Sequence, residues 1–257
     1  MADAPRIALI ADVHGNAVAL EAVLSDLSRS GADELICLGD VAATGPRPRE
    51  AIERIAGLGC PVVRGNTDRF LLHPEVEETD DEDTRRTFEL DLWGAEQLDE
   101  AHRSALAGYQ PVVERPGLCC YHGSPRSDTE ELLATTPPAA LEAALDGHAA
   151  LVFAGAHTHQ PMLRRHGTSL VINPGSVGIP FEMLPDGRFH NPPFAEYAIV
   201  AGREVEFHRV PLDVSQVAGD ALASGMPHAG WWVQAHARVT VPSIIARNVP
   251  GIAAVPS

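Results

Sequence analysis

Seven side chains that could ligate a metal ion stand where apolar, strand-like runs of the chain end. They are Asp12 and His14 in ADVHGN, Asp40 in LGDV, Asn66 in RGNTD, His122 in YHGS, and His157 with His159 in GAHTHQ. The D-x-H and H-x-H spacings put two side chains on one side of an extended or turning backbone, so each pair could reach one ion or two neighbouring ions. Imidazole, carboxylate and amide donors without a thiolate favour Mn, Fe, Zn, Co or Ni over a cysteine-rich structural zinc site. One such residue alone is usually a cap or a hydrogen-bonding group, but burying all seven together is costly without a cation.

The elements that must position these residues alternate between strand and helix in the first third of the chain. RIALIAD (6–12), ELICLGD (34–40) and PVVRGN (61–66) are predicted strands, and HGNAVALEAVLSDLSRSG (14–31) and RPREAIERIAGLG (47–59) are predicted helices. This alternation is typical of a parallel sheet covered by helices. Ligands of open α/β sheets bind at the carboxyl ends of strands, so we expect Asp12, Asp40 and Asn66 to lie together there.

The rest of the chain is predicted to complete a single domain over residues 1–257. A segment over about 70–107 is either a helical insertion at the site or a solvated acidic loop leading into an ordinary helix. QPVVERPGLCCYHG predicts two strands joined by an Arg-Pro-Gly turn, LVFAGAHTH (151–159) a buried strand, AEYAIVAGREVEFHRV a hairpin, and NPGSVGIP (173–180) a turn in the pocket wall. Residues from about 214 to 257 form a C-terminal extension. Its apolar tail could pack on the body, join two copies in a homo-oligomer or be loosely ordered.

Composition and charge restrict what the protein could bind. The chain has 257 residues, 45% of them hydrophobic, and a formal net charge of −16. This acidity argues against a basic surface for nucleic acid or a membrane, so metal ions or a few arginines must hold any anionic substrate. The four cysteines lack C-x-x-C spacing and are expected in the core of a protein in a reducing compartment. Because MADAPRIALIAD has no basic stretch and only a short apolar run, we expect a cytoplasmic protein.

In their order from Asp12 to His159, these blocks resemble the calcineurin-like metallophosphoesterase superfamily, whose pattern is D-x-H, G-D, G-N-H-[DE], a lone H and G-H-x-H. The resemblance implies an α/β fold in which helices flank a sandwich of two β-sheets, with a small helical insertion. It also implies two metal sites. The first would be held by Asp12, His14, Asp40 and His159, and the second by Asp40 as a bridge with Asn66, His122 and His157. GAHTH departs from the pattern only by Ala156, which separates the glycine from the first histidine.

For such a site we expect hydrolysis of small-molecule phosphodiesters by a hydroxide that bridges two divalent ions, with manganese favoured. The predicted catalytic residues are Asp40, Asn66, Thr67 and Asp68. The family pattern has a histidine at the position of Thr67, and that histidine supports the leaving oxygen. A threonine cannot act as an acid near neutral pH, and Asp68 would lose the histidine that it orients. Some small bacterial phosphodiesterases that the chain resembles also lack this histidine.

The threonine therefore predicts a preference for stable leaving groups, such as those of aryl phosphodiesters or phosphoanhydrides. His73 and His190 are candidate replacement proton donors. Arg69 and Arg126 flank metal-binding blocks and could contact a phosphate or a nucleotide, although surface ion pairing accounts for each more simply.

Two other functions stay open. One is a phosphoanhydride (dinucleoside polyphosphate) hydrolase or a protein phosphatase, and the other is a non-catalytic scaffold of the same fold, like the retromer subunit related to this superfamily. Degenerate scaffolds lose metal-binding histidines, whereas this chain keeps all of them. The sequence therefore favours an enzyme.

Overall fold

Two β-sheets and the helices around them form the protein, whose structure is a computed structural model that describes residues 4–183 and 189–236. The strands are β1 (Arg6–Ile10), β2 (Glu34–Cys37), β3 (Val112–Arg115), β4 (Leu118–Tyr121), β5 (Val152–Ala154), β6 (Met162–His166), β7 (Ser169–Asn173), β8 (Glu182–Met183), β9 (Phe189–His190), β10 (Phe194–Ala201) and β11 (Glu204–Pro211). The first sheet has the order β11-β10-β1-β2, the second has the order β3-β4-β5-β7-β6, and β8 pairs with β9. The predicted two-sheet α/β sandwich is confirmed.

The two sheets enclose one hydrophobic core between them. The outer face of each sheet packs against a further core formed with the helices. Along β1, Ile7 and Leu9 pack between the sheets, whereas Ala8 and Ile10 pack against the helices outside. This is the two-residue alternation of a strand with both faces buried. For that reason the strand shows a continuous apolar run in the sequence.

Helices cover the outer faces of both sheets. They are α1 (Ala17–Leu27), α2 (Pro48–Leu58), α3 (Asn66–Leu72), α4 (Glu82–Gln97), α5 (Glu100–Ala107), α6 (Pro138–Leu145), α7 (Val214–Ala223) and α8 (Ala229–His236). α6 packs on the second sheet, whereas α1, α2, α3 and α5 share a core with the first. None of the helices in the described ranges is both long enough and apolar enough to span a bilayer.

A mostly exposed acidic loop over 73–81 leads into α4 and α5, and the C-terminal extension packs against α4. Leu90 of α4 is buried in a small cluster with Val217 of α7 and Trp232 of α8. The first part of the extension therefore packs on the body of the protein. The apolar tail beyond residue 236 lies outside the described residues, and the single domain over 1–257 stays a prediction.

The predicted strand at 61–66 is wrong. Val62 and Val63 make only isolated parallel bridges, to Cys37 and Gln110, because Pro61 has no N–H to give and the chain enters α3 at Asn66. The predicted strands at 6–12, 34–40 and 151–159 end early, at Ile10, Cys37 and Ala154. The acidic and histidine residues that follow have left the extended conformation. The sequence analysis also missed β6 and α6.

Candidate metal centre

The seven predicted ligands lie together at the carboxyl ends of β1, β2, β4 and β5. Two triplets have donor atoms that all lie within 4.8 Å of one another. The triplets are Asp12 with His14 and His159, and Asp40 with His122 and His157. Asn66, the first residue of α3, places its side-chain oxygen 3.1 Å from His122 Nε2. The structure therefore brings all seven residues into one cluster, grouped as the resemblance implies.

The hydrogen bonds of His14 and His159 leave the Nε2 atom of each ring without a proton. The Nδ1 atoms lie 3.0 Å from the Ala43 carbonyl and 2.7 Å from the Ile179 carbonyl, and a carbonyl can only accept. Burial lowers the pKa of His14 and lowers the pKa of His159 to about 3, so both rings are neutral at pH 7. Their Nε2 lone pairs then face each other across 3.1 Å. Two lone pairs at this distance repel unless a cation lies between them.

The carboxylates add negative charge to the same space. Asp40 Oδ2 lies 3.3 Å from His122 Nε2 and 3.8 Å from His14 Nε2, so it is next to both triplets. Asp12 is fully buried, and neither of its carboxyl oxygens has a hydrogen-bond partner among the described residues. Burial raises the pKa of Asp12, which expresses the cost of a charged carboxylate in this position. Oxygen and nitrogen atoms that could ligate a metal therefore surround Asp40. Such a set of atoms fits divalent ions.

Neighbouring charges give His122 and Asp40 opposite pKa shifts. Burial is the largest single influence and favours the neutral ring, but the Asp40 carboxylate, with Asp12 and the Leu38 carbonyl, outweighs it and raises the pKa of His122 to about 10. Burial likewise works against the Asp40 charge, yet His122 and His14 hold the pKa of that carboxyl below its usual range. In the protein without metal ions, a proton on His122 therefore supplies the positive charge that Asp40 requires.

The backbone at the cluster is strained. Asp12, His14, Asp40, His157 and His159 all have φ between 47° and 67°, a left-handed conformation that non-glycine residues rarely adopt. Each such residue costs on the order of 1–3 kcal/mol, and the strain persists only where surrounding contacts enforce it. Here the contacts include Asp12 N–H to Gly39 O at 3.0 Å and His14 N–H to Asp40 O at 2.9 Å. Five strained residues in one cluster are typical of a functional site.

The NPGSVGIP segment buttresses the turn that carries Asp12, in agreement with its predicted place in the pocket wall. Ser176 Oγ and Gly178 N both donate to the Asp12 carbonyl, at 2.8 and 2.9 Å. A Cβ on Gly178 would lie 1.9 Å from the Val13 carbonyl oxygen, so only glycine allows this approach. Ile179, in the same segment, accepts from the His159 ring.

The Asp68 carboxylate binds backbone N–H groups rather than a side chain. It accepts hydrogen bonds from the N–H groups of Asp40, Val41 and Gly65, at 2.8 to 2.9 Å. The carboxylate that the resemblance pairs with a histidine thus fixes the turn of Asp40 and the start of α3. Thr67 N–H donates to Asp40 Oδ1 at 2.9 Å, and its hydroxyl is buried without a hydrogen-bond partner in the described part of the chain.

The predicted substrate arginines are exposed and already paired. Arg69 makes two hydrogen bonds to Asp128, and Arg126 pairs with Glu130. The sequence analysis missed Arg64, which is half-buried and lines a cavity of about 300 Å³ together with His122. Its guanidinium has no hydrogen bond or ion pair with any described residue. Its position directly before the G-N block is the sequence signal that could have identified it.

The two candidate proton donors belong to elements other than the strand ends that carry the cluster. His73 is exposed at the end of α3, and His190 pairs with Glu182 in the β8–β9 ribbon. Within the described ranges, no hydrogen bond joins either histidine to the seven cluster residues.

A loop held by the insertion and the C-terminal extension orients His14. Thr44 follows Ala43, whose carbonyl faces the His14 ring. Thr44 has a φ of 66°, its hydroxyl donates to Asp91 Oδ1 at 2.7 Å, and its carbonyl accepts from Trp232 Nε1 at 2.7 Å. α4 and α8 therefore both fix the residue next to the one that orients a predicted metal ligand. Nothing in the local sequence indicates these contacts, because they join segments far apart in the chain.

The fold and this cluster define a metal-dependent hydrolase of the two-sheet type. The profile of the Calcineurin-like phosphoesterase superfamily domain matches residues 6–200, and the chain belongs to this superfamily. Phosphodiesterase YfcE of Escherichia coli K12 is 30% identical over 189 residues, which cover 68% of this chain and 80% of that protein. The predictions of the family and of a phosphoesterase are confirmed.

Similarity extends to two other proteins. An uncharacterized protein of Methanocaldococcus jannaschii is 44% identical over 69 residues, 27% of this chain and 28% of that protein. A metallophosphoesterase structure from Sphaerobacter thermophilus superposes with a TM-score of 0.72 and 28% identity. The superposition covers 91% of this chain and 98% of that one.

Asp91 gives a prediction for the pH dependence of stability. Burial raises its pKa to about 7, against an unfolded value of about 3.9. Between those values the folded protein holds a proton that the unfolded chain has lost, so the free energy of unfolding falls as pH rises through this window. Asp91→Asn keeps an acceptor for Thr44 and removes the titration. Its stability relative to wild type should increase between about pH 5 and pH 8, by at most about 3 kcal/mol.

Urea unfolding of the metal-free proteins at the two pH values measures this difference. Glu96→Gln, on the exposed surface of α4, is the matched control and should follow the wild type at both. If the free energies of unfolding of Asp91→Asn and wild type differed by the same amount at both pH values, the prediction would be contradicted.

Proposed function

We propose that the protein hydrolyses phosphodiesters of small molecules with two divalent ions held by the seven cluster residues. One observation carries this proposal. Unprotonated imidazole nitrogens lie beside the Asp12 carboxylate, which has no hydrogen-bond partner among the described residues, and beside the Asp40 carboxylate, which is next to both triplets. Such a set of donors is costly to bury without cations. That YfcE is a phosphodiesterase, and is similar over most of its length, supports the same reaction class.

The proposed ligands divide into two sites that share one carboxylate. Asp12, His14 and His159 would hold the first ion and Asn66, His122 and His157 the second, with Asp40 between them. When bound, two such ions lower the pKa of a water molecule toward neutrality and offset the charge of the phosphate oxygens during in-line attack. Manganese is the ion we favour, on the basis of nitrogen and oxygen donors without a thiolate. We also propose a cytoplasmic location, supported by four free cysteines.

The side chains around the ions orient the ligands and leave the departing oxygen without a proton donor. Asp68 fixes the backbone of Asp40, and Ala43 and Ile179 fix the ring tautomers of His14 and His159. Thr67 stands where a general acid would act, and its hydroxyl stays neutral near pH 7. A general acid contributes about 10²- to 10⁴-fold to the rate. The proposed enzyme therefore prefers substrates whose leaving group is stable as an anion.

A phosphoanhydride hydrolase is the second candidate, and the same residue favours it. The leaving group of a phosphoanhydride is a phosphate, which needs little protonation, so Thr67 suits this reaction as well. The cavity beside His122, of about 300 Å³, suits a compact substrate better than a protein segment.

Arg64 is the residue that we propose to bind the phosphate group of the substrate. It lines the cavity with His122 and Ser124 and carries no ion pair with described residues, so its charge is available to an anion. Arg69 and Arg126, in contrast, would have to give up carboxylate partners. A guanidinium also matches two phosphate oxygens in one plane.

The first of two kinetic predictions concerns the leaving group. With Mn²⁺ and a series of aryl phosphodiesters, kcat should fall steeply as the pKa of the leaving phenol rises, because no side chain protonates it. Thr67→His should make kcat depend less on the pKa of the leaving phenol. It should raise kcat most for the poorest leaving groups, by about 10²-fold or more. Thr67→Ser is the matched control and should keep the wild-type slope. Rates of the wild type that do not depend on the leaving group would require an intact proton donor, and a protein without bound metal or activity would favour the scaffold.

The second prediction concerns Arg64. Arg64→Met should lower kcat/KM by roughly 10- to 100-fold, the value of a charge-assisted hydrogen bond to a phosphate. Arg126→Met, at the other side of the cavity, and Arg165→Met, on exposed β6, should each change it by less than about threefold. Steady-state kinetics on one aryl phosphodiester separates the three. A larger loss of kcat/KM in Arg126→Met than in Arg64→Met would show that Arg126, and not Arg64, binds the phosphate.

A further inference from the structure

A second group of metal-binding side chains lies on the outer face of the second sheet, away from the cluster of seven. Glu114 of β3 and Cys119 of β4 face each other as register partners across the hairpin. His148, in the loop between α6 and β5, lies over them, and donor atoms of the three residues all lie within 4.8 Å of one another. Cys119 is three residues before His122, about 10 Å along an extended strand. It packs in the core beneath α6 rather than between the sheets.

The contacts of His148 distinguish a metal site from a nucleophile relay. Glu114 Oε1 lies 3.1 Å and Cys119 Sγ 3.9 Å from the same ring nitrogen, Nδ1. In a cysteine–histidine–carboxylate relay, the thiol and the carboxylate would meet different ring nitrogens. One nitrogen has one proton or one lone pair and cannot serve both partners at once. Three such atoms within 4.8 Å of one another are an arrangement that a single cation can satisfy.

Two of the three spacings are close to those of a tetrahedral ion, and the third, between Glu114 and Cys119, is within 4.8 Å. With metal–nitrogen bonds of about 2.0–2.1 Å and metal–sulfur bonds of about 2.3 Å, tetrahedral ligand atoms stand roughly 3.3–3.6 Å apart. The distances of 3.1 and 3.9 Å need adjustments of only a few tenths of an ångström. Glu114 can supply any further movement, because its side chain is 63% exposed.

We propose that Glu114, Cys119 and His148 bind a thiophilic divalent ion of the zinc class, with water as the fourth ligand. The ion enters from the solvent side, past Glu114 and the partly exposed ring of His148. Cys119 loses its thiol proton to solvent as the sulfur–metal bond forms, so one proton is released for each ion bound. Burial raises the pKa of the Cys119 thiol to about 12, and occupancy therefore increases with pH.

The bound ion links two parts of the second sheet. It ties the β3–β4 hairpin to the loop that leads into β5, the strand that ends just before His157 and His159. The two sites also differ in donor type, because the cluster of seven offers only nitrogen and oxygen. Thiolate selects zinc or cobalt over manganese. The protein would thus hold different metals at the two places.

Cobalt spectroscopy tests the proposal, because a thiolate on Co²⁺ gives a charge-transfer band in the near ultraviolet that nitrogen and oxygen ligands do not give. The full-length protein titrated with Co²⁺ should develop this band. Cys119→Ser should lose it and keep the visible bands of cobalt at nitrogen and oxygen donors. Cys60→Ser, which removes a half-buried cysteine elsewhere, should keep the charge-transfer band.

His148→Ala guards against a folding defect in the cysteine variant, because its ring lies at the surface. It should raise the Co²⁺ concentration at half-maximal band intensity by at least about tenfold. No band in the wild type at saturating Co²⁺ would overturn the proposal. A band unchanged in Cys119→Ser, or a titration unchanged in His148→Ala, would overturn it as well. None of these outcomes depends on phosphodiesterase activity.

Discussion

Repulsion between buried groups of like polarity is the constraint around which this protein is built. Two neutral imidazoles direct lone pairs at each other over 3.1 Å, beside a buried carboxylate that has no hydrogen-bond partner in the described part of the chain. Folding the chain around this arrangement costs several kcal/mol unless cations occupy it. Metal binding thus removes a cost that the fold itself creates.

Much of the surrounding structure serves to hold that arrangement in place. The strands end early so that five of the donor residues can turn into the left-handed conformation. Asp68 clamps the turn of Asp40 through three N–H groups, and a Cβ on Gly45 would lie 1.6 Å from the His14 carbonyl oxygen. Thr44 is held by helices from the insertion and from the C-terminal extension. Helices α4 and α8 therefore contribute to the candidate metal centre through the loop that orients His14.

The sequence predicts the cluster well because the carboxyl ends of adjacent strands must meet at one edge of a sheet. That rule places Asp12 and Asp40 together, because β1 and β2 are parallel neighbours, whereas His122 follows β4 of the second sheet and joins them through the packing of the two sheets. It does not predict that Asp68 binds backbone or that Arg64 lacks a partner among the described residues, since both depend on how α3 approaches the turn after β2. The strand expected at 61–66 fails for a similar reason. An apolar, β-branched run predicts extended backbone, but whether it joins a ladder depends on neighbours far along the chain.

The central claim is that the two triplets are the two halves of one binuclear metal centre. Anomalous diffraction at the manganese edge, from crystals of the full chain soaked in Mn²⁺, tests this claim most directly. We predict two peaks about 3.5–4 Å apart, one beside Asp12, His14 and His159 and the other beside Asn66, His122 and His157, with Asp40 between them. One peak alone at full occupancy, or none among these residues, would contradict the account.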